Sequence, residues 1–172
     1  MPDTKQLVIL KRLSVQLEGI TPAAGYDFNL AGRVYRGRSQ FGSDEPLPFV
    51  SILESVRPDA RPIEAGHEKL VRTERWDLLI QGWCEENRDF PTDELYRMKG
   101  AVESRIAQIV AKDAQGNPVY PGAYRLGGLI AELRIGPGVV RAATPQVGGA
   151  EAFYLPLSLT YAINLADPYA LG

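Results

Sequence analysis

Two stretches of the chain repeat apolar residues at the spacing of an α-helix. In the first, Asp3 can cap a helix, Gly19 marks its end, and the apolar positions three or four residues apart are Leu10, Leu13, Leu17 and Ile20. In the second, residues 90–92 and the acidic pair Asp93 and Glu94 form a typical helix N-terminus. Its apolar positions are Leu95, Met98, Val102, Ile106 and Ile109. The pattern predicts two amphipathic helices, each with one face that a larger structure must cover.

Five other stretches have the apolar pattern of β-strands, at residues 26–38, 49–53, 70–83, 129–135 and 153–166. In the last of them, apolar side chains occupy every second position from Phe153 to Leu165. Residues 57–69 and 136–149 are rich in Pro, Gly or charge and show no periodicity, which predicts exposed loops. The order of these elements predicts an α+β fold, a mostly antiparallel β-sheet of about five strands packed by two α-helices, in a single domain over residues 1–172.

The composition narrows the classes of function. The 19 Lys and Arg residues against 21 Asp and Glu give a formal net charge of −2, which provides no broad cationic field for binding nucleic acid. Cys84 is the only cysteine and His67 the only histidine, so neither an internal disulfide nor a zinc site of Cys and His ligands can form. Gly, Pro or charge interrupts every apolar stretch, and the N-terminus lacks a signal-peptide pattern. We therefore expect synthesis in the cytoplasm and no membrane partner.

Few residues have the pattern of a catalytic or cofactor site. His67 and Cys84 could pair as base and nucleophile, but they lie at opposite ends of a predicted strand. The glycines at 127–128 and 136–138 lack a Walker lysine and are typical of turns. An acidic cluster without EF-hand or nuclease spacing suits a polar connection before a helix; its members are Glu85, Glu86, Asp89, Asp93 and Glu94. We therefore expect no catalytic residue, no cofactor and no bound metal, and a protein that is not an enzyme.

The main basic concentration of the chain lies at the end of the first predicted strand, where a tyrosine stands among arginines. Arg and Tyr are favoured at protein interfaces, and a bidentate arginine needs a carboxylate opposite it. The alternative is a solvated strand end. With the following loop included, the candidate residues for a subunit or partner interface are Arg33, Tyr35, Arg36, Arg38, Arg57, Arg61 and His67.

The order of the elements and several segments resemble the tail terminator proteins of long-tailed bacteriophages, the group that contains the minor tail protein U of phage lambda. The segments are the opening helix ILKRLSVQLEGI, the strand pair RVYRGR and PFVSILES, the strand WDLLIQGW and the acid-capped helix PTDELYRMKGAVESRIAQIV. The resemblance spans most of the chain, but residues 136–149 are not matched to it. None of these segments is a catalytic signature.

The resemblance implies a structural virion protein. It would form a hexameric ring on the finished tail tube, end tube polymerisation and provide a surface for attaching the head. The implied partners are further copies of the chain, the tail tube protein, head–tail connector proteins and the tape measure protein. Genomic DNA would meet the ring only as it passes through the lumen. The implied location is the head-proximal end of the tail in the virion.

Two other functions fit the same sequence. A head-closure or tail-completion protein would share the size and the lack of a catalytic motif. A small hydrolase or ligand-binding domain would need a pocket with converging polar groups. For the terminator function, we hypothesise that residues 57–69 and 136–149 supply ring or tube contacts, because long loops on a rigid scaffold commonly carry binding function.

Overall fold

The computed structural model of the chain describes residues 2–42, 44–54, 70–85, 87, 89–141 and 151–169. Its helices are α1 (Lys5–Glu18), α2 (Asp93–Ala107) and the single turn α3 (Arg125–Gly128), with a 3-10 turn at Pro22–Ala24. Its strands are β1 (Val34–Arg36), β2 (Phe49–Glu54), β3 (Val71–Trp83), β4 (Glu132–Ile135), β5 (Val139–Arg141) and β6 (Ala152–Asn164). Among these helices, none is long and apolar enough to cross a bilayer.

The strands form one sheet in the order β1-β2-β3-β6-β4, and β5 pairs with β6 beside β4. Only the short edge strand β1 is parallel to its neighbour, while the other pairs within the described residues are antiparallel. The centre is the long pair β3 and β6, whose register runs from Val71 opposite Asn164 to Gly82 opposite Phe153. The predicted α+β fold of a mostly antiparallel sheet and two main helices is confirmed.

Both long helices cover one face of the sheet. The apolar residues predicted for β6 explain this, because alternate side chains of a strand point to the same face. Phe153, Leu155, Leu157, Leu159 and Tyr161 are all at most 2% exposed and belong to the main core. The apolar positions predicted for the second helix are also fully buried, since Leu95, Met98, Val102 and Ile106 of α2, and Ile109 just after its end, are each 0% exposed.

The start of α1 differs from its prediction. Thr4 is the N-cap, and its side-chain oxygen accepts a hydrogen bond from the Leu7 amide at 3.4 Å. Asp3 forms an ion pair with Lys11 instead, so its carboxylate is engaged further along the helix. Ile9, which is not among the predicted apolar positions, is fully buried, whereas Leu10 is only partly buried.

The strand predicted at residues 26–38 is mostly irregular. Phe28 and Leu30 are buried as predicted, but only Val34–Arg36 pairs with a neighbouring strand. The Leu30 amide donates to the Ile20 carbonyl at 2.8 Å, and Gly32 has a φ of +66°. This turn joins the segment to the end of α1, and the regular strand therefore begins only at Val34.

Two further boundaries differ near the C-terminal half of the sheet. The predicted strand 129–135 begins only at Glu132, because α3 and a turn occupy the positions before it. The loop predicted at residues 136–149 is partly strand, since Val139–Arg141 pairs with the start of β6. Residues 142–149 of that loop, and the whole predicted loop 57–69, lie outside the described residues.

Candidate protein interface

A second, smaller apolar cluster lies on the sheet face that the helices leave uncovered. Its buried members are Phe49, Trp83 and Ala152, and the half-buried residues packed on them are Tyr35, Phe41, Leu47 and Tyr154. The rings of Phe49 and Trp83 stack at 4.7 Å between centroids, and Phe41 lies 4.3 Å from Phe49. Such ring pairs add to the stabilisation from buried area. The cluster therefore fastens the connection between β1 and β2 onto the sheet.

Three polar side chains hold the outside of this connection. Arg38 donates from Nη2 to Glu45 Oε2 at 2.7 Å, and its guanidinium lies 4.5 Å from the ring centroid of Phe41. The Tyr35 hydroxyl donates to the other carboxylate oxygen of Glu45. The hydrogen bond from Tyr35 holds the pKa of Glu45 below its usual value, and the same bond raises the pKa of the tyrosine. Glu45 thus stays ionised between its two partners near neutral pH.

The structure gives the predicted interface residues different roles. Arg33 donates from Nη1 to the Leu47 carbonyl at 2.7 Å, so it also fastens the connection from β1 to β2. Arg33, Tyr35 and Arg38 therefore have partners within the chain. Arg36 is exposed at the end of β1, and no group in the described residues accepts a hydrogen bond from its side chain. Arg57, Arg61 and His67 lie outside the described residues.

The same face of the sheet becomes polar along β3 and β6. Leu79 stands between Leu53 and Pro156 in the strand register, and all three are half-buried. Further along, Arg75 donates to Ser158 Oγ at 2.7 Å and to Asp77 at 3.0 Å. An antiparallel sheet with one solvated face has this composition. The aromatic cluster at one end is thus continuous with a mixed, partly exposed surface.

The junction between β3 and α2 holds the predicted acidic cluster and the only cysteine of the chain. Glu86 lies outside the described residues, and within those described no group of three or more His, Cys, Asp or Glu side chains is placed to hold a metal ion. Cys84 is 6% exposed. Burial, followed by the charges of Glu94, Glu151 and Glu85, raises the pKa of its thiol to about 12. The thiol is therefore protonated at neutral pH and is a poor nucleophile.

We expect the Cys84 thiol to react with iodoacetamide at pH 8 at least about a hundredfold more slowly in the folded protein than in urea, because both burial and the low thiolate fraction oppose the reaction. Equal reactivity in both states would contradict the assignment.

The raised pKa of the Cys84 thiol also means that the folded chain binds more protons than the unfolded chain between the ordinary thiol pKa of 9.0 and about 12. The free energy of unfolding should therefore fall as the pH rises through this window. Urea titrations at pH 8 and 10.5 measure this fall, and Cys84→Ala should reduce it.

The described part of the chain also has surface concavities lined by other residues. A groove of about 380 Å³ separates α1 from residues 122–126, with Val8 and Val15 among its apolar residues. Its polar groups are engaged, since Lys11 pairs with Asp3 and Arg12 donates to the Leu126 carbonyl at 2.9 Å. A ligand pocket of the usual kind offers a few precisely placed polar groups to its ligand. The groove therefore gives little support to the ligand-binding alternative.

A smaller pocket of about 240 Å³ lies at the C-terminal end of α2 and was not found from the sequence. Its lining includes Lys112, Tyr124, Arg125 and Arg134. The Arg125 guanidinium lies 5.3 Å and the Lys112 ammonium 5.8 Å from the Tyr124 ring centroid. Both cations thus converge on one ring, although Lys112 and Arg125 are far apart in the sequence.

The turn α3 is responsible for the position of Arg125. Arg125 and Leu126 have φ angles of +49° and +52°, in the left-handed region that glycine favours. Leu126 is buried in the main core, and its carbonyl accepts the hydrogen bond from Arg12. Gly127 and Gly128 continue the turn with positive φ, as the turn prediction for 127–128 requires. Backbone strain of this kind persists only where the surrounding contacts hold it.

The aromatic cluster and the pocket beside Tyr124 present aromatic rings, guanidinium groups and carboxylates. Such groups suit recognition of another protein. A scan against models of known protein families and a search of curated protein sequences find no match to this chain.

Proposed function

We propose that this protein is a ring-forming structural subunit that caps the tail tube of a long-tailed bacteriophage. In this role it ends tube polymerisation and presents a surface for attaching the head. It would act at the head-proximal end of the tail, in contact with the tail tube protein, the head–tail connector proteins and the tape measure protein. No catalysis is required of it.

The observation that carries the proposal is the order of the elements in the segments that resemble tail terminators. The segment ILKRLSVQLEGI contains most of α1, and RVYRGR and PFVSILES contain β1 and β2. WDLLIQGW is the second half of β3, and PTDELYRMKGAVESRIAQIV contains α2. These elements supply both long helices and one strand of the central pair, whereas β4, β5 and β6 lie outside the quoted segments.

Exposed apolar side chains support a role in assembly. Val15, Phe90 and Tyr96 are between 59% and 66% exposed, and they lie on both long helices or just before them. Scattered exposed apolar residues are common on monomers, but aromatic side chains beside charges are typical of protein interfaces. Ring closure requires two different surfaces on each copy.

Electron microscopy of tails made without this protein tests the proposal. In a phage that encodes the chain, deleting its gene should yield tail tubes longer than those of the parent phage, and supplying the protein in trans should restore the length. Tails of normal length that are detached from heads would instead support the head-closure or tail-completion alternative. Normal, head-attached tails would contradict both functions.

A further inference from the structure

The two ends of α2 present opposite charges. At its start, Asp89 and Asp93 are exposed next to Phe90 and Tyr96, which are 63% and 59% exposed. Neither carboxylate has an ion pair with a described lysine or arginine. We call these four residues the acidic-aromatic patch.

At the other end of α2 is the pocket that contains Lys112, Arg125 and Arg134, which we call the basic pocket. Arg134 pairs with Glu132 of the same lining at 3.4 Å. Lys112 and Arg125 contact the Tyr124 ring, and within the described residues no carboxylate lies at ion-pair distance from either. Three cations against one carboxylate leave the pocket with an excess of positive charge.

The carboxylate nearest to Lys112 in the sequence does not neutralise this pocket. Asp113 accepts hydrogen bonds from the backbone amides of Gln115 and Asn117, at 2.9 and 2.8 Å. These bonds, chiefly those from Asn117, hold the pKa of Asp113 below its ordinary value. The Asp113 carboxylate is therefore bound by the backbone amides of its own turn. The basic pocket remains available to a carboxylate from outside the chain.

We propose that the acidic-aromatic patch of one copy of this chain docks on the basic pocket of the next copy. Asp89 or Asp93 would meet Lys112 and Arg125, and the exposed rings of Phe90 and Tyr96 would lie against Tyr124 and its neighbours. The occupant that charge complementarity favours is thus a second copy of this chain. This inference rests on the proposed function, because it names the surfaces that close the ring.

The geometry allows a ring, because one copy can use its two surfaces on two different neighbours. The 15 residues of α2 span about 22 Å, so the two surfaces lie at opposite ends of a rigid element. When each copy uses its acidic-aromatic patch on one neighbour and its basic pocket on another, the contact is heterologous, and its repetition closes into a ring or continues as a filament. Nucleic acid is a poorer occupant, since the pocket offers few cations and the chain carries a net charge of −2.

Matched charge reversals test the proposal. Variant one carries Lys112→Glu and Arg125→Glu, and variant two carries Asp89→Lys and Asp93→Lys. Each alone should weaken self-association by about tenfold or more in dissociation constant, because like charges then face each other. An equimolar mixture should recover assembly in alternating copies, since the original patch of variant one then meets the original pocket of variant two, and the reversed patch of variant two meets the reversed pocket of variant one. Sedimentation velocity in solution and electron microscopy of capped tubes give the readout, with circular dichroism as the check on folding.

The outcomes separate the inference from the function on which it rests. If the wild-type chain assembles and both variants assemble equally well, the inference is wrong and the proposed function stands. If the mixture fails although each variant is folded, the pairing of these two surfaces is also wrong. If variant one still assembles but no longer binds duplex DNA, the basic pocket binds the phosphate backbone of nucleic acid and the proposal is overturned. If the wild-type chain assembles neither in solution nor on tail tubes, the proposed function fails with it.

Discussion

Replacing Phe153 by alanine is expected to lower the free energy of unfolding by about 3–5 kcal/mol, the usual cost of removing a fully buried aromatic ring. Phe153 is 0% exposed and stands opposite Gly82 in the central strand pair. A Cβ atom at Gly82 would come within 2.2 Å of the ring, so the ring lies directly on the glycine backbone. Gly82 itself has no side chain that could fill the cavity left by the ring. Urea denaturation followed by circular dichroism measures the loss.

A second substitution makes this prediction specific to the contact. Gly82→Val alone should cost about 1–3 kcal/mol by overpacking, yet in the Phe153→Ala background it should recover part of the stability by filling the cavity. Thr160→Ala, on the uncovered face of the same strand, is the control and should change the free energy of unfolding by less than about 0.5 kcal/mol. Additive effects of the two core substitutions would show that Gly82 and Phe153 are not coupled.

Phe49→Ala is expected to cost about 3 kcal/mol and, in addition, to release the connection between β1 and β2. Phe49 is 3% exposed and contacts the rings of both Trp83 and Phe41. Because the second apolar cluster is small, loss of this ring removes much of what holds Phe41 and Leu47 on the sheet. Limited proteolysis should then cut within residues 37–48 under conditions in which the parent chain is resistant.

The matched control is another phenylalanine with a different environment. Phe90 is 63% exposed, so Phe90→Ala should change the free energy of unfolding by less than about 0.5 kcal/mol and leave the protease pattern unaltered. Global destabilisation without new cleavage in residues 37–48 would show that the polar contacts of Arg33 and Arg38 are sufficient to hold the connection. Trp83 fluorescence should report the change around the cluster in either case.

The candidate interface was only partly visible in the sequence. The basic strand end was recognised at Arg33, Arg36 and Arg38, but the sequence could not show that Glu45 and the Leu47 carbonyl engage two of these side chains. Lys112 and Arg125 were not recognised as a pair. They are 13 positions apart, and the left-handed turn that brings them to one ring is set by contacts of Leu126 and Arg12. Turn geometry at residues other than glycine leaves little trace in composition.

The hydrophobic pattern by itself determined the elements with the strongest periodicity. The stripe of α2 and the alternation of β3 and β6 are local properties of the chain, and a residue pattern selects the face of a helix or strand directly. The sequence also determined the mostly antiparallel α+β class, through the order of these elements. These are consequences of side-chain spacing, which does not depend on distant partners.

Tertiary structure alone decided the features that depend on distant contacts. The central pairing of β3 with β6 joins residues up to 93 positions apart. The segment before β1 contains buried Phe28 and Leu30, yet it remains irregular because it hydrogen-bonds to the end of α1. The short strand β5 arises within a Gly/Pro-rich segment only because the exposed edge of β6 accepts it. No local residue pattern marks a backbone hydrogen bond between distant segments. These features were therefore decided by tertiary packing and not by the hydrophobic pattern of the sequence.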